Sequence, residues 1–278
     1  MKPSKLTLLT FLAIILSCTT DEIDSPISPP IDTTAKPIYN QAYNENFDTD
    51  SIDYIIANAT NAYVLVDPFQ ENVTQHIATI KANGNEVGAY ISIGTGENWR
   101  DDFTAMQPYL VSTAWGQWTN EFFINSTTTG ILDIMKQRID KIAAWGCDWV
   151  EFDNMDWIFD DELKATYNFQ VTQAEGITYY QELCNYVHSK GMKCMAKNMV
   201  DFATDFDGVL YESYDNEKNW WDIAGAQSFL NAGKMVIINH YNETNPNQVY
   251  AEYKSLYNEN ISFICEDRNL QKYVHFNQ

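Results

Sequence analysis

The sequence predicts an α/β protein, a single (β/α)8 TIM barrel, and two patterns carry that expectation. Eight short apolar runs, rich in Val, Ile, Phe and Tyr, recur between residues 62 and 265, with helix-period stretches between most of them. Several of these runs end on an acidic or amide side chain, and barrels of this class do their chemistry at the C-terminal ends of their strands. An open doubly wound sheet is the alternative. No Gly-x-Gly-x-x-Gly or phosphate-loop pattern supports it, and a count of eight favours closure.

The elements follow in order. Residues 62–67 read as a first strand, and residues 73–82 as a helix ended by Asn83-Gly84-Asn85. Residues 86–94 form a second strand that opens into Gly94-Thr95-Gly96, and residues 121–125 a third. Residues 131–145 are amphipathic: Ile131, Ile134, Met135, Ile139, Ile142 and Ala143 share a face, and Gly146 stops the helix. Strand four covers 147–153. A loop of about twenty residues follows, then a helix near 175–189 closed by Lys190-Gly191. Strand five is 193–197 and strand six 208–212. A helix spans 220–231, strand seven 234–241, a helix opens at Pro246 and runs to about 258, and strand eight is 261–265.

The N-terminus does not belong to that pattern. Lys2 and Lys5 precede an apolar run, residues 6–16, which is too short to span a bilayer. Ile15-Leu16-Ser17-Cys18 resembles a bacterial lipobox, which implies cleavage before Cys18 and lipid on its sulfur. Residues 1–17 are thus expected to be a signal peptide. Residues 18–40, with Pro26, Pro29, Pro30 and Pro37, are expected to be a tether, and residues 41–278 the (β/α)8 domain. Export, with a lipid anchor in the bacterial outer membrane or cell surface, is the expected localisation.

Composition narrows the function. The net charge is −21, and losing residues 1–17 removes two lysines and no acid. Nucleic-acid binding needs basic patches and is excluded, whereas a cationic ligand suits the field. With 45% hydrophobic and 14% aromatic residues the chain affords a large core. Eight Trp and 17 Tyr leave aromatic faces over for stacking on sugar rings. Cys147, Cys184, Cys194 and Cys265 lack metal-ligand spacing and read as mostly buried thiols, with one disulfide of unreadable pairing possible; the four His are scattered. No cofactor is expected, and a monomer is.

The segment Trp149-Val150-Glu151-Phe152-Asp153-Asn154-Met155-Asp156 carries three carboxylates in six residues, and Gly208-Val209-Leu210-Tyr211-Glu212 ends on another. Acids beside Val, Phe and Tyr are costly unless used. Two carboxylates from different strand ends are the equipment of glycoside hydrolysis. Strands four and six are separated only by strand five, so Asp153 and Glu212 can flank a scissile bond. Lys197, between them, is expected to keep one ionised, the other being held protonated near Tyr211 and Tyr214. Glu151 shares the face of Asp153 one layer deeper and needs a partner such as Lys197. Asn154 and Asp156 are placed to bind sugar hydroxyls. Two other chemistries score lower: a calcium or magnesium site of Asp67, Asp153 and Asp156, and a Schiff base at Lys197.

Tyr90-Ile91-Ser92-Ile93-Gly94-Thr95-Gly96-Glu97-Asn98-Trp99-Arg100 resembles a signature of glycoside hydrolase family 114, the endo-α-1,4-polygalactosaminidases. Residues 118–124 and 134–140, the Gly146-to-Asp156 block, Lys197-Asn198 and Tyr211-Glu212 resemble further blocks in the same order, over about residues 60–265. The resemblance implies a barrel enzyme that cuts α-1,4-linked galactosamine polymers, with Asp153 as nucleophile and Glu212 as acid/base. Asp67, Tyr90, Glu97, Trp99, Asn154, Asp156, Lys197, Asn198, Tyr211 and Tyr241 are the expected substrate contacts. Ser213-Tyr214 stands where the family has Gln-Cys, and Phe152 where it has Pro, and both departures touch sugar subsites. Two alternatives keep the fold: a glycan-binding surface lipoprotein without catalysis, and a barrel hydrolase of a neutral α-glycan.

Overall fold

A computed structural model describes residues 35–40, 49–199, 205–213, 223–257, 260–267 and 272–278, all within one compact unit, Thr33–Gln278. The wall begins with β1 (Ile38–Asn40), β2 (Tyr63–Val66) and β3 (Glu86–Ser92), which pair in parallel. An antiparallel pair outside the wall follows, β4 (Thr95–Glu97) and β5 (Glu121–Phe123). The wall resumes with β6 (Trp149–Asp153), β7 (Lys193–Lys197), β8 (Gly208–Ser213), β9 (Met235–Tyr241) and β10 (Ser262–Glu266), again all parallel. A last strand, β11 (Tyr273–His275), runs antiparallel to β10.

The helices are α1 (Thr49–Asn58), α2 (Ile77–Ala82), α3 (Phe103–Met106), α4 (Thr129–Trp145), α5 (Asp161–Tyr167), α6 (Gln173–Ser189), α7 (Ile223–Asn231) and α8 (Pro246–Tyr257). Eight parallel strands with intervening helices make this the predicted (β/α)8 barrel. At the seam β1 lies beside β10. There His275 donates its Nδ1–H to the Ile38 carbonyl at 3.1 Å, and its ring stacks on Tyr39 at 4.1 Å. Burial, against that one bond, lowers the His275 pKa, so the ring stays neutral and can serve as that donor.

The count of eight is right, but two members differ from expectation. Residues 38–40, assigned to the tether, are the first wall strand. A three-residue strand fixed by pairing on β2 leaves no periodic trace in sequence. Residues 121–125, read as the third wall strand, instead supply β5, and Glu121–Phe123 pairs with Thr95–Glu97. The errors cancel, so strands four to eight keep their predicted positions. The predicted loop after strand four also holds a 3-10 turn, Met155–Ile158, and α5.

Local signals explain the helix ends. Thr172 and Glu175 form a reciprocal capping box at the start of α6, at 3.3 and 2.9 Å. Gly146 takes the left-handed conformation (φ 84°) that closes α4. The signal peptide, Cys18, most of the tether, Tyr214 and the first residues of the predicted 220–231 helix lie outside the described residues. Among the described residues no helix is long and apolar enough to cross a membrane.

The interior is layered. Ile38, Leu65, Tyr90, Trp149, Met195, Leu210, Ile237 and Ile264, one from each wall strand, form an apolar layer. The Trp149 indole fits because its cross-strand partner is Gly88, where a Cβ would lie 2.3 Å from the ring. Two residues further along each strand the side chain is polar: Asn40, Asp67, Ser92, Glu151, Lys197, Glu212, Asn239 and Glu266, all buried. The strand period of two dictates that both sets face inward. The barrel therefore changes from hydrocarbon to a ring of hydrogen-bonding groups just below its C-terminal mouth.

Candidate active site

Asp153 and Tyr241 stand one further step up from that ring, at the last residues of β6 and β9. Lys197 Nζ lies 3.0 Å from Asp153 Oδ1, 3.2 Å from Glu212 Oε2 and 4.0 Å from Glu151 Oε1. One cation thus serves three acids, two of them with buried side chains and Asp153 the most open. Lys197 is expected to keep one of the pair ionised and to partner Glu151, and here it reaches both members of the pair and Glu151. Such a cluster cannot ionise completely without unbalanced buried charge.

Among the described residues, three donors are recorded on Glu212. Lys197 and the Asn198 amide, at 3.1 Å, approach Oε2, and the Tyr241 hydroxyl donates to Oε1 at 2.9 Å. Asn198 also accepts from the Glu212 backbone N–H at 3.0 Å. Asn239 Nδ2 donates to the Tyr241 oxygen at 2.9 Å, which directs the phenolic hydrogen to Glu212. Asp153 Oδ1 accepts from the Asn154 backbone N–H at 2.8 Å. Asn154, Asn198 and Asn242, each directly after a wall strand, are left-handed (φ 57°, 57° and 53°), a conformation that asparagine tolerates better than most residues.

The predicted contacts divide into those open to a ligand and those used inside the protein. Trp99 is 54% exposed, and Asp156 is exposed on the rim. Desolvation and then the Asp153 charge push the Asp156 pKa up to about 6. Tyr90 lies beneath the mouth. Burial, then the charges of Asp153, Glu97 and Glu121, push its phenol pKa up, which keeps it a neutral hydrogen-bond donor.

The others already have partners inside the protein. Asp67 and Glu97 are enclosed. Both are buried against Arg100, whose guanidinium reaches Glu97 with two bonds of 2.8 Å and Asp67 at 2.8 and 2.9 Å. Arg138 continues this network, 3.6 Å from Glu97 and 2.7 Å from Asp102. Asn154 and Asn198 spend their amides on protein atoms, and Tyr241 on Glu212. Tyr211 faces the opposite way from Glu212, into the core between sheet and helices, because strand side chains alternate.

Sequence reasoning missed four residues here: Arg100, Arg138, Asn239 and Glu121. Asn239 was legible as the inward-facing position two before Tyr241. Arg138 sits on α4 and only the packing of that helix brings it near. Glu266, noticed only as a strand end, is 2% exposed, and burial, then the charge of Glu212, raises its pKa well above the usual carboxylate range. Among the described residues no three His, Cys, Asp or Glu side chains are arranged to hold a metal ion.

A (β/α)8 barrel that clusters Asp153, Lys197 and Glu212 at its C-terminal mouth falls in the glycoside-hydrolase class. The sequence matches the model of glycoside-hydrolase family GH114 over residues 32–278, and the chain belongs to that family. The fold is similar to Aspergillus fumigatus Ega3, solved in complex with galactosamine: TM-score 0.66, 23% identity, 89% of this chain and 96% of that one covered. It is also similar to the glycoside hydrolase domain of PelA from Pseudomonas aeruginosa: TM-score 0.62, 12% identity, 86% and 97% covered. TtGalA, an α-galactosidase from Thermus thermophilus, aligns with TM-score 0.54 at 11% identity over 83% of this chain and 57% of that one. Among curated proteins no sequence matches. Membership of GH114 makes the protein a glycosidase that acts on carbohydrate.

Proposed function

We propose that the protein cleaves α-1,4-linked galactosamine-containing polysaccharide, within the chain and with retention, using Asp153 as nucleophile and Glu212 as acid/base. The observation that carries this reading is Lys197 between the two acids at the mouth of a GH114 barrel. Both contacts go to one nitrogen, so Asp153 Oδ1 and Glu212 Oε2 are no more than about 6 Å apart. That limit falls below the roughly 6.5–9.5 Å of inverting enzymes and admits the roughly 5–5.5 Å of retaining ones.

The chemistry follows from the charge balance. In the first step the Asp153 carboxylate attacks the anomeric carbon and Glu212 gives its proton to the leaving oxygen. Esterification removes the charge from Asp153. Lys197 then serves Glu212 more fully, favouring the carboxylate that must take a proton from water in the second step. Tyr241 and Asn198 hold Glu212 in place through both. Exposed Trp99 and Trp118 on the β4–β5 excursion offer indole faces to a polymer. The acidic chain suits a polymer with free amino groups, and Ega3, with a similar fold, was solved with galactosamine. We also assign Cys18 to lipidation after export, on the strength of the Leu16-Ser17-Cys18 motif. Palmitate labelling that survives Cys18→Ala would refute that assignment.

Digestion of a glycan panel tests the reaction: α-1,4-galactosamine polymer with and without N-acetylation, and neutral α-glycans, with products read by mass spectrometry. Oligomers are expected from the amino-sugar polymer with the wild type, and none with Asp153→Asn or Glu212→Gln. Full activity in either variant would overturn the assignment of roles. Cleavage confined to neutral polymers would overturn the substrate.

A further inference from the structure

The β4–β5 excursion carries two acids at paired positions, Glu97 and Glu121, with different surroundings. Glu97 is neutralised by Arg100 and Arg138. Glu121 is 7% exposed and, among the described residues, has no ion pair. Its contacts are hydrogen bonds. Thr95 Oγ1 donates to Oε2 at 2.5 Å, and Asn154 Nδ2 approaches the same oxygen at 3.3 Å. The Asn154 amide also lies 3.0 Å from Ser92 Oγ and 3.2 Å from Thr95 Oγ1. Ser92 and Thr95 are themselves 2.6 Å apart. Because the Thr95 hydroxyl hydrogen goes to Glu121, Ser92 is the donor in that pair.

This network reaches only one part of the mouth. Asn154 is the left-handed residue directly after Asp153, and its backbone N–H holds Asp153 Oδ1 at 2.8 Å. Gly94 lets the two loops meet, since a Cβ there would lie 2.0 Å from the Asn154 carbonyl oxygen. A side chain at Gly94 would push the Asn154 turn away.

We propose that Glu121 is a positioning residue for Asp153, acting through the Asn154 side chain to fix the turn that orients the Asp153 carboxylate. The kinetic part of this inference rests on the hydrolase reading above; the contact itself does not. The proton content of Glu121 then modulates the site. Burial, opposed by the Thr95 bond and reinforced by the charges of Glu97 and Asp153, with Lys197 acting the other way, pushes its pKa up to about 7. Tyr90, which feels the charge of Glu121, stays a neutral phenol. Above that point an ionised Glu121 accepts from Thr95 and Asn154 as charge-assisted bonds, which are shorter and stronger, and the turn tightens.

Glu121→Gln and Glu121→Ala in the full chain test this. Gln has the shape of the protonated acid and keeps an acceptor for Thr95 and Asn154. Ala leaves both donors unmet. Expected for Glu121→Ala is a fall in kcat of about 10²-fold, the order produced by small misplacements of a reacting group, with KM little changed. For the wild type kcat should rise through an inflection near pH 7, the value to which Glu121 is pushed. Glu121→Gln should lack that inflection. Independently of turnover, the 13C carboxyl resonance of Asp153, assigned with Asp153→Asn, should show a component near pH 7 in the wild type that Glu121→Gln lacks, while both keep the response to Asp156 near pH 6. Superimposable pH profiles, or an Asp153 signal indifferent to Glu121, would overturn the proposal. A wild type inert on every polymer would count against the hydrolase reading, and the resonance would still decide this one.

Discussion

The Tyr241 hydroxyl donates to Glu212 Oε1 at 2.9 Å while accepting from Asn239 Nδ2 at 2.9 Å. The direction of that chain is fixed, because an amide N–H can only donate. Tyr241→Phe removes the last donor and leaves its volume almost unchanged. A hydrogen bond to a charged group contributes about 1.5–3 kcal/mol, so kcat should fall roughly 10- to 100-fold with KM nearly constant. Steady-state kinetics on the cleaved polymer checks it, and a loss confined to KM would show that Tyr241 binds sugar instead.

Lys197 is the only cation recorded within 4.0 Å of Asp153 or Glu212 among the described residues. Lys197→Met should cost about 3–5 kcal/mol of stability, the usual penalty for stranding buried charge. Activity should drop by about 10²–10³-fold as the electrostatic support of both acids disappears. Urea unfolding and single-turnover rates measure the two effects separately. A variant as stable as the wild type would mean that the acids hold protons instead of sharing the lysine.

Glu266 gives a stability prediction with a definite sign. Its folded pKa lies well above the ordinary 4.5 because of burial and the nearby Glu212 charge. The folded state therefore holds a proton that the unfolded state releases. The stability linked to this group is fully present below pH 4.5 and is lost as pH rises through the folded value. Each pH unit in that window costs about 1.4 kcal/mol. Glu266→Gln has no proton to lose, so its melting temperature should gain on the wild type as pH rises above 4.5. A difference that does not grow with pH would contradict the assignment of a neutral Glu266.

The domain boundary can be tested by truncation. Ile38–Asn40 pairs with Tyr63–Leu65, and the seam uses the Ile38 carbonyl. A chain beginning at Thr33 should unfold cooperatively with the melting temperature of the longer protein. One beginning at residue 41 should lose the cooperative transition, because it opens the barrel between β2 and β10. Equal melting temperatures would return residues 38–40 to the tether.

The sequence by itself determined the barrel class, the positions of strands four to eight and the inward face of strand four, since their apolar runs stand clear of the helices and end on Asp153, Lys197, Glu212 and Tyr241. It also located the carboxylate pair, because acids inside apolar runs are rare without a use. It did not show that residues 38–40 are a strand while residues 121–123 are a hairpin arm, since short strands are fixed by their partners and not by their own pattern. Only the tertiary structure decided how the polar residues are spent. Asp67 and Glu97 read as ligand contacts until Arg100 closes on both. Glu121 gave no signal until the excursion folded it against Asn154. Spacing along a strand fixes which way a side chain faces, whereas its partner comes from another strand or loop, and that pairing is set by the closure of the barrel.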